Sequence, residues 1–254
     1  MSLFNELLIF LAALVAGFIN AIAGGGTLIT FPALLYLGFT PVVANVTNTM
    51  ALVPGTIGGM WGQRNDFRSQ YSRLLKLLPV AILGGIGGGL LILNTSEKIF
   101  ASLVPYLILL ATLLLASQPL LKKWLVARLG HAHTEHHNPV LMMTLVFFAS
   151  IYGGYFGAGL GVILMAVLGF VTDDSMNRLN FLKQALAFSI NVAAAVYFAF
   201  SGKVEWMAAL VMIFGSVSGG FIGGKMAEKM KPAILRWIVV TSGIIAAVIF
   251  FLKN

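Results

Sequence analysis

The stretch from Leu77 to Leu93 contains no charged residue, and comparable apolar runs recur along the whole chain. A single run of this kind fits a soluble core, but a succession of them requires hydrocarbon as the surrounding solvent. Composition agrees: of 254 residues, 59% are apolar and 9% charged, with a mean hydropathy of +0.96. Soluble domains run at about 45–50% apolar and about 25% charged. The expected class is therefore an all-α polytopic membrane protein. At about 20 residues per span the length allows about eight to ten crossings and leaves little outside the bilayer. No extramembrane catalytic or nucleic-acid-binding domain fits.

The net charge of +8 is carried by Lys and Arg in short loops between apolar runs, where such residues set orientation rather than bind nucleic acid. The absence of cysteine excludes disulfides, thiolate metal sites and sulfur relays on a protein thiol. Met1–Ala23 imitates a signal peptide, down to Ala21-Ile22-Ala23 as a cleavage site. Its leading segment, however, carries Glu6 and no basic residue, so it reads as a retained helix.

A shift of 135 residues lays the end of the chain on its beginning without a gap at the glycines. Ala23, Gly24 and Gly26 fall on Ala158, Gly159 and Gly161, and Asn45 falls on Asn180. Gly84, Gly85, Gly88 and Gly89 fall on Gly219, Gly220, Gly223 and Gly224. Recurrent glycines at one offset indicate an internal duplication. The expected division is residues 1–119 as a first repeat, 120–139 as a cytoplasmic linker containing histidines, and 140–254 as a second repeat.

Each repeat reads as five apolar segments: Leu3–Ile22, Thr27–Gly38, Val42–Trp61, Leu74–Leu93 and Ile99–Gln118, then Val140–Phe156, Val162–Phe170, Leu179–Phe200, Met207–Ile222 and Ile234–Leu252. The second segment of each repeat is too short to cross a core of about 30 Å as an ordinary helix. Each follows a glycine cluster, Gly24-Gly25-Gly26 in one repeat and Gly157, Gly159 and Gly161 in the other. Short, Gly-interrupted apolar segments at matching places in two halves point to a transporter site built from broken helices.

Five crossings per repeat would insert the halves in opposite directions; four would make them parallel. The inverted arrangement places Lys225, Lys229 and Lys231 on the same side as Arg64, Arg68, Arg73, Lys76 and the basic residues of Lys122–Arg128. Positive charge prefers the cytoplasm, so inverted repeats are expected, with about ten segments and both termini outside the cytoplasm.

The residue chemistry leans toward an anion. A helix N-terminus presents about four unpaired N–H groups and a partial positive charge, which suits a tetrahedral oxyanion. Gly24–Gly26 leading into Thr27, and Gly157–Gly161 leading into Val162, would supply two such ends, with the Thr27 hydroxyl beside one. The competing reading is glycine as a helix-packing surface, which is also the reading for Gly84–Gly89 and Gly219–Gly224. Asn45, Asn48 and Thr49 in the third segment correspond to Asn180, Lys183 and Gln184 in the eighth. These groups point to binding or, for Asn and Thr, to interhelical hydrogen bonds. Lys183 is the sharpest residue, a cation inside an apolar helix with no acid within one turn. Such a residue is a functional candidate, with snorkelling to the interface as the alternative. Asn20 and Asn191 are weaker candidates.

All eight acidic residues fall in loops or near segment ends, so no deep carboxylate supports a proton relay or a cation path. His131, His133, His136 and His137 with Glu135 form a metal-like cluster in the linker, which reads first as a solvated connector. Neither a cofactor nor catalysis is expected, because no His, Cys or paired carboxylate lies within the spans.

The run from Gly17 to Leu35 (GFINAIAGGGTLITFPALL), followed by Ala44-Asn-Val-Thr-Asn-Thr, resembles the sulfite exporter TauE/SafE family of membrane permeases. The second half is similar but departs from the pattern: Gly157-Ala-Gly-Leu-Gly replaces a glycine triplet and no proline follows, while Asn180-Phe-Leu-Lys183 looks preserved. The resemblance implies transport of small sulfur oxyanions such as sulfite or organosulfonates across the cell membrane. The expected protein is thus a probable-exporter type permease in the inner membrane, partnered by lipid and a small anion, with its site near the midplane and one half rocking on the other. The rivals are a divalent-cation transporter using the histidine linker and a non-transporting scaffold or sensor.

Overall fold

A computed structural model describes residues 2–61, 67–129, 138–172, 174–226, 230 and 232–253. Among these residues there are ten helices and no strand. They are α1 (Leu3–Ile22), α2 (Thr27–Tyr36), α3 (Pro41–Trp61), α4 (Phe67–Asn94), α5 (Glu97–Leu129), α6 (Pro139–Tyr155), α7 (Leu160–Val171), α8 (Met176–Ala199), α9 (Trp206–Met226) and α10 (Pro232–Lys253). The chain is an all-α, multi-pass membrane protein. Six of the helices, α1, α4, α5, α8, α9 and α10, are apolar over a length sufficient to cross a bilayer.

The starts of several helices follow from local chemistry. The Ser2 hydroxyl caps α1 by accepting from the Asn5 N–H at 3.3 Å. The Asn138 side chain caps α6 by accepting from Val140 and Leu141 at 3.0 and 3.2 Å, with Pro139 at the first helical position, where a missing N–H costs nothing. At α3 the cap comes from another helix: the Glu97 carboxylate at the start of α5 accepts from the Thr40 hydroxyl at 2.7 Å and the Val42 N–H at 3.0 Å.

With 10 and 12 residues, α2 and α7 span only about 15 and 18 Å, roughly half the bilayer core. α7 begins at Leu160, two residues before the apolar run suggests, because Gly159 adopts φ 77° as its N-cap. Gly161 therefore lies inside the first turn of the helix instead of ahead of it. α5 runs on to Leu129, ten residues into the stretch read as linker. Residues 130–137, with His131, His133, Glu135, His136 and His137, lie outside the described residues, and Asn138 and Pro139 open α6.

Helix partners recur when each helix is exchanged for the one five places along. α1 packs on α9 as α6 does on α4; α3 packs on α9 as α8 does on α4. α1 contacts α2 as α6 contacts α7, and both α3 with α8 and α5 with α10 pair across the exchange. Thus α4 packs on α6 and α8, and α9 on α1 and α3. The buried core follows this pairing. One cluster joins α4 through Leu77 and Ala81 to Val146, Leu164 and Leu186 of α6, α7 and α8. The other joins Ile9, Phe31, Val46 and Met212 of α1, α2, α3 and α9, with α5 and α10, and takes in Ile92 of α4, Val162 of α7 and Phe198 of α8 where the two groups meet.

Glycine makes these contacts possible. A Cβ on Gly88 would overlap the Ile151 carbonyl oxygen of α6, and one on Gly223 would overlap the Phe18 carbonyl of α1. Gly84, Gly85, Gly219 and Gly220 also face neighbouring backbone or side-chain atoms at distances no Cβ tolerates, whereas Gly224 faces open space.

Candidate functional site

The peptides between α1 and α2 and between α6 and α7 turn sharply to reverse the chain within the bundle. Both turns rely on left-handed glycines: Gly24 and Gly25 at φ 81° and 93°, Gly157 and Gly159 at 76° and 77°. Other residue types are strained in that region. The two turns face each other across a cavity of about 350 Å³. Its wall also includes one face of α3 from Thr49 to Thr56, Leu115 and Gln118 of α5, and one face of α8 from Asn180 to Asn191.

Of the residues singled out in the sequence, Asn20, Gly24, Gly25, Thr27, Thr49, Gly157, Gly159, Gly161, Asn180, Lys183 and Gln184 line this cavity. Gly26, Asn45 and Asn48 do not. A Cβ on Gly26 would lie 2.6 Å from the Ala16 carbonyl oxygen, so this glycine serves the close approach of α2 to α1. Asn45 and Asn48 are fully buried. The Asn45 amide donates to the Tyr155 carbonyl at 3.0 Å, tying α3 to α6, and Asn48 accepts from the Thr30 hydroxyl, tying α3 to α2. Asn191, the other weaker candidate, lines the cavity too, and Thr56 and Gln118 join the lining without having stood out in the sequence.

The wall is rich in donors. Among the described residues, the side chains of Thr49, Gln118, Asn180, Lys183, Gln184 and Asn191 make no hydrogen bond to protein, and Lys183 has no carboxylate within ion-pair distance. Lys183 is set deep in the bundle, its stem against Gly161: a Cβ there would lie 3.7 Å from Lys183 Cδ. The described acids stand at helix ends: Glu6 and Glu97 in first turns, Asp174 just before α8 and Glu205 just before α9. Asp174 is held by Arg73, with Arg178 at 3.7 Å.

Backbone donors add to this wall. In the first turn the Gly26 N–H is taken by Asn20 Oδ1 at 2.7 Å, while the N–H groups of Gly25 and Thr27 have no acceptor among the described residues. In the second turn the N–H groups of Ala158, Gly159 and Gly161 have none. Phe156 lines the cavity, and its ring meets Phe31 edge-on at 5.4 Å and Phe100 at 6.5 Å. Phe100 lies in the first turn of α5, close to Glu97.

A sequence model of the sulfite exporter TauE/SafE family matches residues 9–250. The chain belongs to the TauE/SafE family. It is similar to a probable membrane transporter protein of Haemophilus influenzae Rd, at 30% identity over 92% of this chain and 89% of that protein. A probable membrane transporter protein of a Sinorhizobium species is also 30% identical, covering 94% and 90%. The probable membrane transporter protein YfcA of Escherichia coli K12 is 26% identical, covering 96% and 88%. No solved structure matches the chain. The protein is therefore a TauE/SafE-family membrane transporter.

Proposed function

We propose that this TauE/SafE transporter binds a small sulfur oxyanion, sulfite or an organosulfonate, in the cavity and exports it across the inner membrane. The observation that carries the reading is the Lys183 ammonium, which faces the cavity without a counter-charge among the described residues and shares it with unpaired backbone N–H groups. Ammonium and amide N–H donate and cannot accept, so they match an anion and repel a cation. A cavity of about 350 Å³ lies at the small end of ligand sites, which suits a solute of a few heavy atoms with some of its water. An inside-negative potential favours anion exit by about 2.3 kcal/mol per charge per 100 mV. Nothing in the wall supplies a carboxylate for proton exchange, which favours uniport.

The architecture behind this reading is a pair of inverted repeats, 1–119 and 140–254, joined by a cytoplasmic segment, with both termini outside. The recurrence of helix partners under exchange of the halves supports it. Because α4 and α9 are swapped, the units that move in alternating access are α1-α2-α3-α9 and α6-α7-α8-α4. No bound cofactor is required.

The test is flux of radiolabelled sulfite and of a small sulfonate in proteoliposomes, comparing the native protein with Lys183→Gln. Native vesicles should move at least one anion, and the variant should lose at least tenfold in kcat/KM with little loss of thermal stability. Movement of a divalent cation with neither anion transported would overturn the reading in favour of the rival cation transporter.

A further inference from the structure

The two glycine turns are held in place by side chains of opposite polarity, and this difference decides which turn retains more donors. Asn20 accepts the Gly26 N–H, removing that donor from the first turn. In the second turn the Tyr152 hydroxyl donates to the Ala158 carbonyl at 2.6 Å. The Tyr152 carbonyl also accepts from the N–H groups of Phe156 and Gly157 at 2.9 and 3.2 Å. Tyr152 thus grips the turn at three points.

The Ala158 carbonyl and the Gly159 N–H belong to one peptide unit, which is trans because the described chain has no cis bond. In a planar trans peptide the two groups point in opposite directions. Drawing the carbonyl toward α6 therefore turns the Gly159 N–H away from α6, where Gly159 lines the cavity. The N–H groups of Ala158 and Gly161 lie on either side of it, and Lys183 packs across Gly161. The first turn keeps the backbone part of this arrangement, the Ile19 carbonyl accepting from the Ala23 and Gly24 N–H groups at 2.8 and 3.0 Å, but Ile19 carries no hydroxyl to hold a turn carbonyl. The counterpart of Tyr152 at the 135-residue offset is Gly17, where a Cβ would overlap the Ser216 carbonyl oxygen, so no side chain fits.

We infer that the anion sits asymmetrically, on the Ala158, Gly159 and Gly161 N–H groups with Lys183, and that Tyr152 is the positioning residue for this cradle. The inference rests on the anion-binding reading above and specifies which half of the site does the binding. Tyr152 does not touch the solute. It acts through the Ala158 peptide, so its loss should weaken binding while leaving the transport cycle intact.

The experiment measures sulfite flux in proteoliposomes and the sulfite-induced thermal shift in detergent. Tyr152→Phe keeps the ring and removes the donor; it should raise KM about tenfold with Vmax within twofold and abolish the thermal shift. Incorporation of 3-fluorotyrosine at position 152, which restores a donor, should return KM to within twofold of native. Gly161→Ala is a second variant, because its methyl would stand in ordinary contact with the Lys183 stem. It suits a helical position, and should raise KM several-fold at native stability. A native KM in either Tyr152→Phe or Gly161→Ala, or a fall in Vmax and stability with KM unchanged, overturns the assignment. If native protein transports neither sulfite nor a sulfonate although a divalent cation moves, the anion reading itself fails and this inference falls with it.

Discussion

Asn48 and Lys183 occupy equivalent places in the two halves, three residues after Asn45 and Asn180, yet they do opposite jobs. Asn48 is sealed between α2 and α3, where it accepts from Thr30. Lys183 faces the cavity with no partner among the described residues. Their substitutions should therefore separate cleanly. Asn48→Ala leaves the buried Thr30 hydroxyl with only the Gly26 carbonyl, 3.2 Å away. A buried polar group that loses a partner costs about 1–3 kcal/mol. A lower melting temperature in detergent with an unaltered KM for sulfite is the expected result, the reverse of the pattern for Lys183→Gln. A raised KM at native stability in Asn48→Ala would instead place Asn48 in contact with the solute.

At the scale of the helix, the glycines of α4 and α9 are a packing device. Their lack of a side chain lets α4 meet α6, and α9 meet α1, backbone to backbone. Small residues have this use in membranes, where hydrophobic burial contributes no net drive between helices. Gly88→Ala or Gly223→Ala would force α4 from α6 or α9 from α1, and either variant should yield little monodisperse protein after detergent extraction. Gly224→Ala is the control. Its Cβ would meet nothing within 4 Å, and Ala is favoured over Gly within a helix by up to about 1 kcal/mol, so its melting temperature should match or exceed native. The sequence offset identifies both glycine sets, but only the packing distinguishes Gly224 from Gly223.

Across the whole molecule, charge and connectivity set the orientation. One end gathers Glu97 with Thr40 and Val42, and the Lys203 ammonium on the Leu93 carbonyl at 3.3 Å. The other gathers Arg73, Asp174 and Arg178. Lys98 and Lys122 lie near opposite ends of the long helix α5 and are both exposed, about 36 Å apart at 1.5 Å per residue. In a protein without cysteine, Lys98→Cys should react with an impermeant maleimide from outside and Lys122→Cys only after the membrane is opened. Outside labelling of position 122 would reverse the proposed orientation.

The sequence alone carried the helical class, the set of ten segments, the two short broken helices and most of the polar side chains that line the cavity. These depend on properties readable locally: apolar length, glycine clusters, and a cation with no nearby acid. It did not carry the roles of Asn45, Asn48, Gln118 or Tyr152. The sequence leaves open whether an asparagine on α3 faces a cavity or a neighbouring helix, because that depends on how α3 is rotated against α2 and α6. Gln118 ends an apolar run, and its offset partner is Lys253; Tyr152 pairs with a glycine, so the duplication drew attention to neither. The packing of α4 on α6 and α8, and of α9 on α1 and α3, was equally invisible. A repeat records what each segment is, whereas only the long-range fit of backbone against backbone decides which segment it packs beside.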